Sequence, residues 1–102
     1  MNRLTALFLA TLMALSTGLA HARDLNDGEA RKLQDAGTIL SVEKLNAIAL
    51  AEHPGATLTD TELEEEYGRY IYQVDMRDTQ GIDWDLEVDA VTGKVLKNHQ
   101  DT

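Results

Sequence analysis

The sequence predicts an α+β domain in which one main helix packs on an antiparallel β-meander of three to four strands, behind a cleaved signal peptide and a short helix. Three observations carry this. Val42, Leu45, Ile48 and Ala49 fall in one helical stripe that Pro54-Gly55 stops. After that proline the apolar period changes from helical to alternating, in Tyr70, Tyr72, Val74 and Met76 and again in Ile82, Trp84, Leu86 and Val88. Gly68, Gly81 and Gly93 punctuate the alternating part where hairpins turn.

The leader comes first in the chain. Met1 to Arg3 carries one cation, Leu4 to Ala20 is apolar apart from Thr5, Thr11, Ser16, Thr17 and Gly18, and Ala20-His21-Ala22 puts small residues at the two positions a signal peptidase reads. Residues 1–22 are expected to be a secretory signal, because the apolar run is shorter than the roughly 20 residues a spanning helix needs. No cysteine follows, so no lipid is attached there. The expected location is periplasmic or secreted, with no stable membrane insertion after cleavage.

Cleavage after Ala22 takes 22 of 102 residues and leaves 80, residues 23–102, enough for one small domain. One of the nine Lys and Arg leaves with the leader and all eighteen Asp and Glu stay, so the net charge passes from −9 to −10. Such a surface repels nucleic acid and anionic headgroups and favours cationic partners. Cysteine is absent, which excludes thiol redox chemistry, iron–sulfur clusters and cysteine zinc sites and leaves stability to packing.

Within residues 23–38 a short helix is expected over about Asp24 to Ala36, capped by Asp27 and ended by Gly37. The main helix should run from Val42 to Glu52 or His53. Ser41 caps it, Glu43 sits against its positive end, and Leu40 with Leu45 forms a hydrophobic staple. Ala56 to Glu65 reads as a strand, but Leu58 and Leu63 are an odd number of residues apart and share a face only through a bulge, expected near Asp60 to Glu62. A short last strand is expected around Lys94 to Leu96.

Inward Trp84, Leu86 and Val88 force Asp83, Asp85, Glu87 and Asp89 onto the solvated face. An EF-hand loop counted from Asp83 needs glycine sixth and glutamate twelfth, where Val88 and Lys94 stand. The weaker cation candidates are Asp75, Asp83, Asp85 and Glu87, partly balanced by Arg69 and Arg77. Glu64, Glu65, Glu66 and Tyr67, at a hairpin tip, are the candidate partner-binding residues, and free sheet edges offer a second route. The one serine beyond the expected leader, Ser41, is used as a cap, and His53 and His99 lack metal-ligand spacing, so no catalytic residue and no cofactor are expected.

The order Gly37-Thr38-Ile39-Leu40-Ser41-Val42-Glu43-Lys44, His53-Pro54-Gly55-Ala56, Leu63-Glu64, Gly68-Arg69-Tyr70-Ile71-Tyr72-Gln73-Val74 and Val88-Asp89-Ala90-Val91-Thr92-Gly93-Lys94-Val95-Leu96 resembles the PepSY domain. The resemblance covers about Leu33 to Leu96, with Gln73 where glutamate is common. It implies a PepSY-like domain over residues 39–98 with a tail at 99–102, no catalytic residue, and a role as an inhibitory or chaperoning module for peptidases or another envelope protein. No peptidase domain follows Thr102, so the partner is expected to be a separate protein. The alternative is a divalent-cation-responsive acidic envelope protein.

Overall fold

The computed structural model describes residues 22–101, so the expected leader, apart from Ala22, lies outside the described residues. Five strands form one antiparallel sheet in chain order: β1 Ala22–Leu25, β2 Thr57–Glu66, β3 Arg69–Arg77, β4 Asp83–Asp89 and β5 Val95–Gln100. Two helices, α1 Asp27–Asp35 and α2 Val42–Glu52, connect β1 to β2. The α+β class is as expected, but the sheet has one strand more than the three to four anticipated. The added strand is β1, which pairs Ala22 with Glu66 through Leu25 with Leu63. It is four residues long and only Leu25 turns from solvent, so backbone pairing holds it and no apolar alternation betrays it.

α1 starts later than expected, and Asn26 caps it in place of Asp27. The Asn26 side chain accepts from the Glu29 N–H at 2.8 Å while the Glu29 carboxylate accepts from the Asn26 N–H at 3.3 Å, a reciprocal pair that Asp27 lacks the position to make. α2 runs as anticipated, with the Lys44 N–H donating to Ser41 Oγ at 3.1 Å and Pro54 beyond its end. Gln34 ties the helices together by accepting from the Val42 N–H at 3.0 Å.

The stripe of α2 buries Leu45 and Ala49 against Leu63, Tyr72, Val74, Met76, Leu86 and Val88, with Val42 and Ile48 packed at its flanks. Burial of each large aliphatic side chain there is worth about 1.5–3 kcal/mol. Tyr72 also donates its hydroxyl to Asn46 Oδ1 at 2.7 Å, so its polar end is satisfied beside the helix.

The β2 bulge falls between Leu58 and Asp60, slightly before the expected place. An extra residue at Thr59 sets Leu58 opposite Met76 and Leu63 opposite Tyr72, both toward the core, and leaves Asp60 opposite Asp75 on the solvated side. A bulge two residues later would have turned Asp60 inward, so the cost of burying a carboxylate selects the earlier site. β5 is longer than expected and holds His99 opposite Asp85. Its second half is polar edge strand, again without apolar alternation. The turn into β5 lies close beneath α2: a Cβ on Gly93, at φ 81°, would stand 2.9 Å from Ile48 Cδ1 and 3.2 Å from Leu40 Cδ1.

Candidate functional site

The core lies on one side of the sheet, so the period of two leaves every other residue of each strand on a second face, over which no helix packs among the described residues. Cross-strand register arranges that open face in rows. Asp24 stands beside Glu64 and Glu64 beside Ile71. Glu62, Gln73, Glu87 and Lys97 make a second row; Asp60, Asp75, Asp85 and His99 make a third. Acids outnumber lysines and arginines in each of them.

The four cation candidates are divided by their neighbours. Asp83 accepts from Arg77 Nε at 2.8 Å and from Nη2 at 3.3 Å, and this guanidinium holds its carboxyl below the usual range. Asp85 is paired with Lys97 Nζ at 3.1 Å. Asp75 faces Asp85 across the strands, and its carboxyl is pushed up first by burial and then by the charges of Asp85, Asp60, Asp101 and Asp83. Glu87 lies between Gln73 and Lys97 in the ladder.

A closer grouping forms where β1 meets β2. One carboxylate oxygen from each of Asp24, Glu62 and Glu64 lies within 4.8 Å of the others. Glu62 is pushed up chiefly by the Asp24 charge, and Glu64 by burial and then by its bond with Asp24, while Glu64 also accepts from Gln73 Nε2 at 2.7 Å. Asp24 could not be assigned to this group without β1.

Alternation also splits the candidate contact residues at the hairpin tip. Glu64 and Glu66 belong to the open face, whereas Glu65 turns to the helix side and accepts from Arg23 Nε at 3.3 Å. Arg23 also donates to Glu29 at 3.0 Å and so ties β1 to α1. Tyr67 remains at the tip, 71% exposed, with φ 52°, the one non-glycine residue at positive φ among the described residues.

One apolar feature interrupts the acids. Ile71 occupies an outward position of β3 between Arg69 and Gln73, yet it is only 4% exposed and stands apart from the core cluster. It floors a concavity of about 250 Å³ lined also by Glu66, Tyr67, Arg69, Glu87 and Leu96. Leu96, 38% exposed, reaches this face because it is the extra residue where β5 slips against Val88. The sequence held one signal of it, an isoleucine among the polar outward residues of β3.

The opposite side holds a different polar cluster. His53 stacks on Trp84 with centroids 4.1 Å apart and its Nε2 lies 2.8 Å from Asn98 Oδ1. Trp84 Nε1 donates to Asp78 at 2.9 Å, and that bond is the largest cause holding the Asp78 carboxyl below its usual range. Asp78 further accepts from the N–H groups of Gln80 and Ile82, so this cluster closes a turn.

With the geometry in place, comparison with known proteins gives a consistent result. Residues 39–99 match the family model described as the peptidase propeptide and YPEB domain, PepSY. The uncharacterized protein YkoJ of Bacillus subtilis (strain 168) is 31% identical over 77 residues, which cover 76% of this chain and 44% of that protein. The aligned part thus spans less than half of that relative. No solved structure gives a significant match.

Proposed function

The chain belongs to the PepSY family, and on that premise we propose that it is an exported, non-catalytic module that restrains a separate peptidase, or another envelope protein, by surface contact. The observation that carries the reading is the open sheet face, where a surface rich in carboxylates surrounds a concavity floored by Ile71 and flanked by Tyr67 and Leu96. A row of carboxylates on a flat, wet sheet suits recognition better than acid–base catalysis, which needs a dry cleft to move a pKa far. The family description as a peptidase propeptide supports a peptidase as the partner class. Export rests on the leader at residues 1–22 and leads to the periplasm or the medium. Cells lacking the gene should show raised peptidase activity in envelope or medium fractions on a gelatin or casein gel, and adding back the purified protein should lower it. Unchanged activity in both arms contradicts the reading.

The grouping of Asp24, Glu62 and Glu64 favours a second reading, a cation-responsive acidic envelope protein that also uses Asp75, Asp83, Asp85 and Glu87. Thermal unfolding in calcium or magnesium, against sodium chloride of matched ionic strength, tests it. Ligand linkage gives about 2.7 kcal/mol at one hundred times the dissociation constant. Equal melting in both salts removes this reading.

A further inference from the structure

We propose that the concavity floored by Ile71 receives one apolar side chain from a partner segment whose flanking residues are lysine or arginine. The inference rests on the reading of the chain as an interaction module and names where and what it contacts. Its apolar half comes from exposure. Among the described residues the large apolar side chains left exposed are Tyr67, Val91 and Leu96, and two of these three line the same concavity. Its volume of about 250 Å³ is below the range of roughly 300–1,000 Å³ for small-molecule pockets and suits a single inserted side chain. Interface energy concentrates where an aromatic and neighbouring apolar side chains can be closed off from water by the polar groups around them, as Glu66, Arg69 and Glu87 surround Tyr67, Ile71 and Leu96.

The turn geometry points the same way. Tyr67 and Gly68 hold φ 52° and 78° in a two-residue hairpin, a turn that asparagine or glycine enters without strain and a bulky tyrosine does not. An aromatic kept there at a local cost is displayed beside the concavity, as expected of a strained contact residue.

Charge then selects the partner. Glu66 and Glu87 border the concavity, Glu64 is paired with Ile71 in the ladder, and Arg69 is the single cation of the lining. The chain carries a net −9. An acidic segment is repelled from this face, and a basic one is steered to it with a rate that falls as salt rises.

The test is a titration of the isotope-labelled protein, followed by amide shifts, with the synthetic peptide Lys-Lys-Phe-Lys-Lys and two controls, one with alanine for phenylalanine and one with glutamate for lysine. The expected shifts centre on Tyr67, Ile71, Glu87 and Leu96. The alanine peptide should bind about tenfold more weakly or worse, and the glutamate peptide should not bind. Leu96→Ser should remove the phenylalanine advantage and Glu87→Lys should weaken both lysine peptides, with the rest of the spectrum unchanged. Equal binding of the phenylalanine and alanine peptides, shifts spread evenly over the acidic rows, or no binding overturns the proposal. Centred binding without any effect of the protein on envelope peptidase activity keeps the docking site and removes the regulatory reading. Peptidase restraint that survives L96S and E87K does the reverse.

Discussion

The two faces of the sheet are made from the same strands, one residue out of phase, and they differ in almost every physical respect. On the helix side, Leu63, Tyr72, Val74, Met76, Leu86 and Val88 meet α2, and among the described residues no buried side-chain nitrogen or oxygen lacks a partner. On the open side, carboxylates outnumber their cations, and three of them, Glu62, Glu64 and Asp75, are pushed toward the protonated form. The first face supplies cohesion. The second works against it at neutral pH through the mutual repulsion of its carboxylates.

If the comparison holds, substitutions on the helix side should cost stability heavily and those on the open side little. The largest effect expected is from Leu86→Ala, which empties a fully buried position at the centre of the core. Denaturant unfolding should register a loss of about 2–5 kcal/mol. Gly93→Ala comes next, since its Cβ meets Ile48 at 2.9 Å in a left-handed backbone; a loss of about 1–3 kcal/mol is expected by the same assay. Trp84→Phe keeps most of the apolar surface but deletes the N–H that Asp78 accepts, and should cost about 1 kcal/mol or somewhat more.

The smallest effect is the one that most sharpens the contrast, because it has the opposite sign. Glu62, Glu64 and Asp75 bind protons more tightly folded than unfolded. Their contribution is therefore full below the ordinary carboxylate range and is lost as pH rises through their raised values. Glu29, Asp78 and Asp83 behave in the reverse way, stabilising above that range and losing the effect as pH falls through their lowered values. Melting temperature should thus peak in weak acid, near about pH 4–5, and decline on both sides. The double variant Glu62→Gln, Glu64→Gln should flatten the neutral side and raise stability at pH 7. A neutral limb as steep as that of the unaltered protein would mean that these two carboxylates are not its source.

Much of the helix side was legible in the sequence because burial imposes a period. The α2 stripe, its Ser41 cap and its stop at Pro54 follow from 3.6-residue spacing and proline geometry, and β3 and β4 from strict alternation. β1 and most of β5 escaped notice because edge strands are held by backbone bonds, which any side chain permits. The omission of β1 hid Asp24 from Glu62 and Glu64; Leu96 lay within the expected last strand, but its outward turn depends on a register slip that no pattern encodes. The acidic row of β4 was visible as outward and Arg77 was expected to balance part of it, as it does at Asp83, but the pairing of Asp85 with Lys97 depends on the neighbour and register of β5. Glu65 was grouped with Glu64 and Glu66 by proximity in sequence, where alternation sets it on the other face.

The central claim is that contact with a partner resides on the open face and stability on the other. The most direct measurement is envelope peptidase activity in cells lacking the gene, restored with either the unaltered protein or the double variant Glu87→Lys, Leu96→Ser, each shown by its melting curve to be folded. The account predicts that the unaltered protein lowers the activity and that the variant, melting alike, leaves it raised. A variant that restores full restraint would contradict the claim.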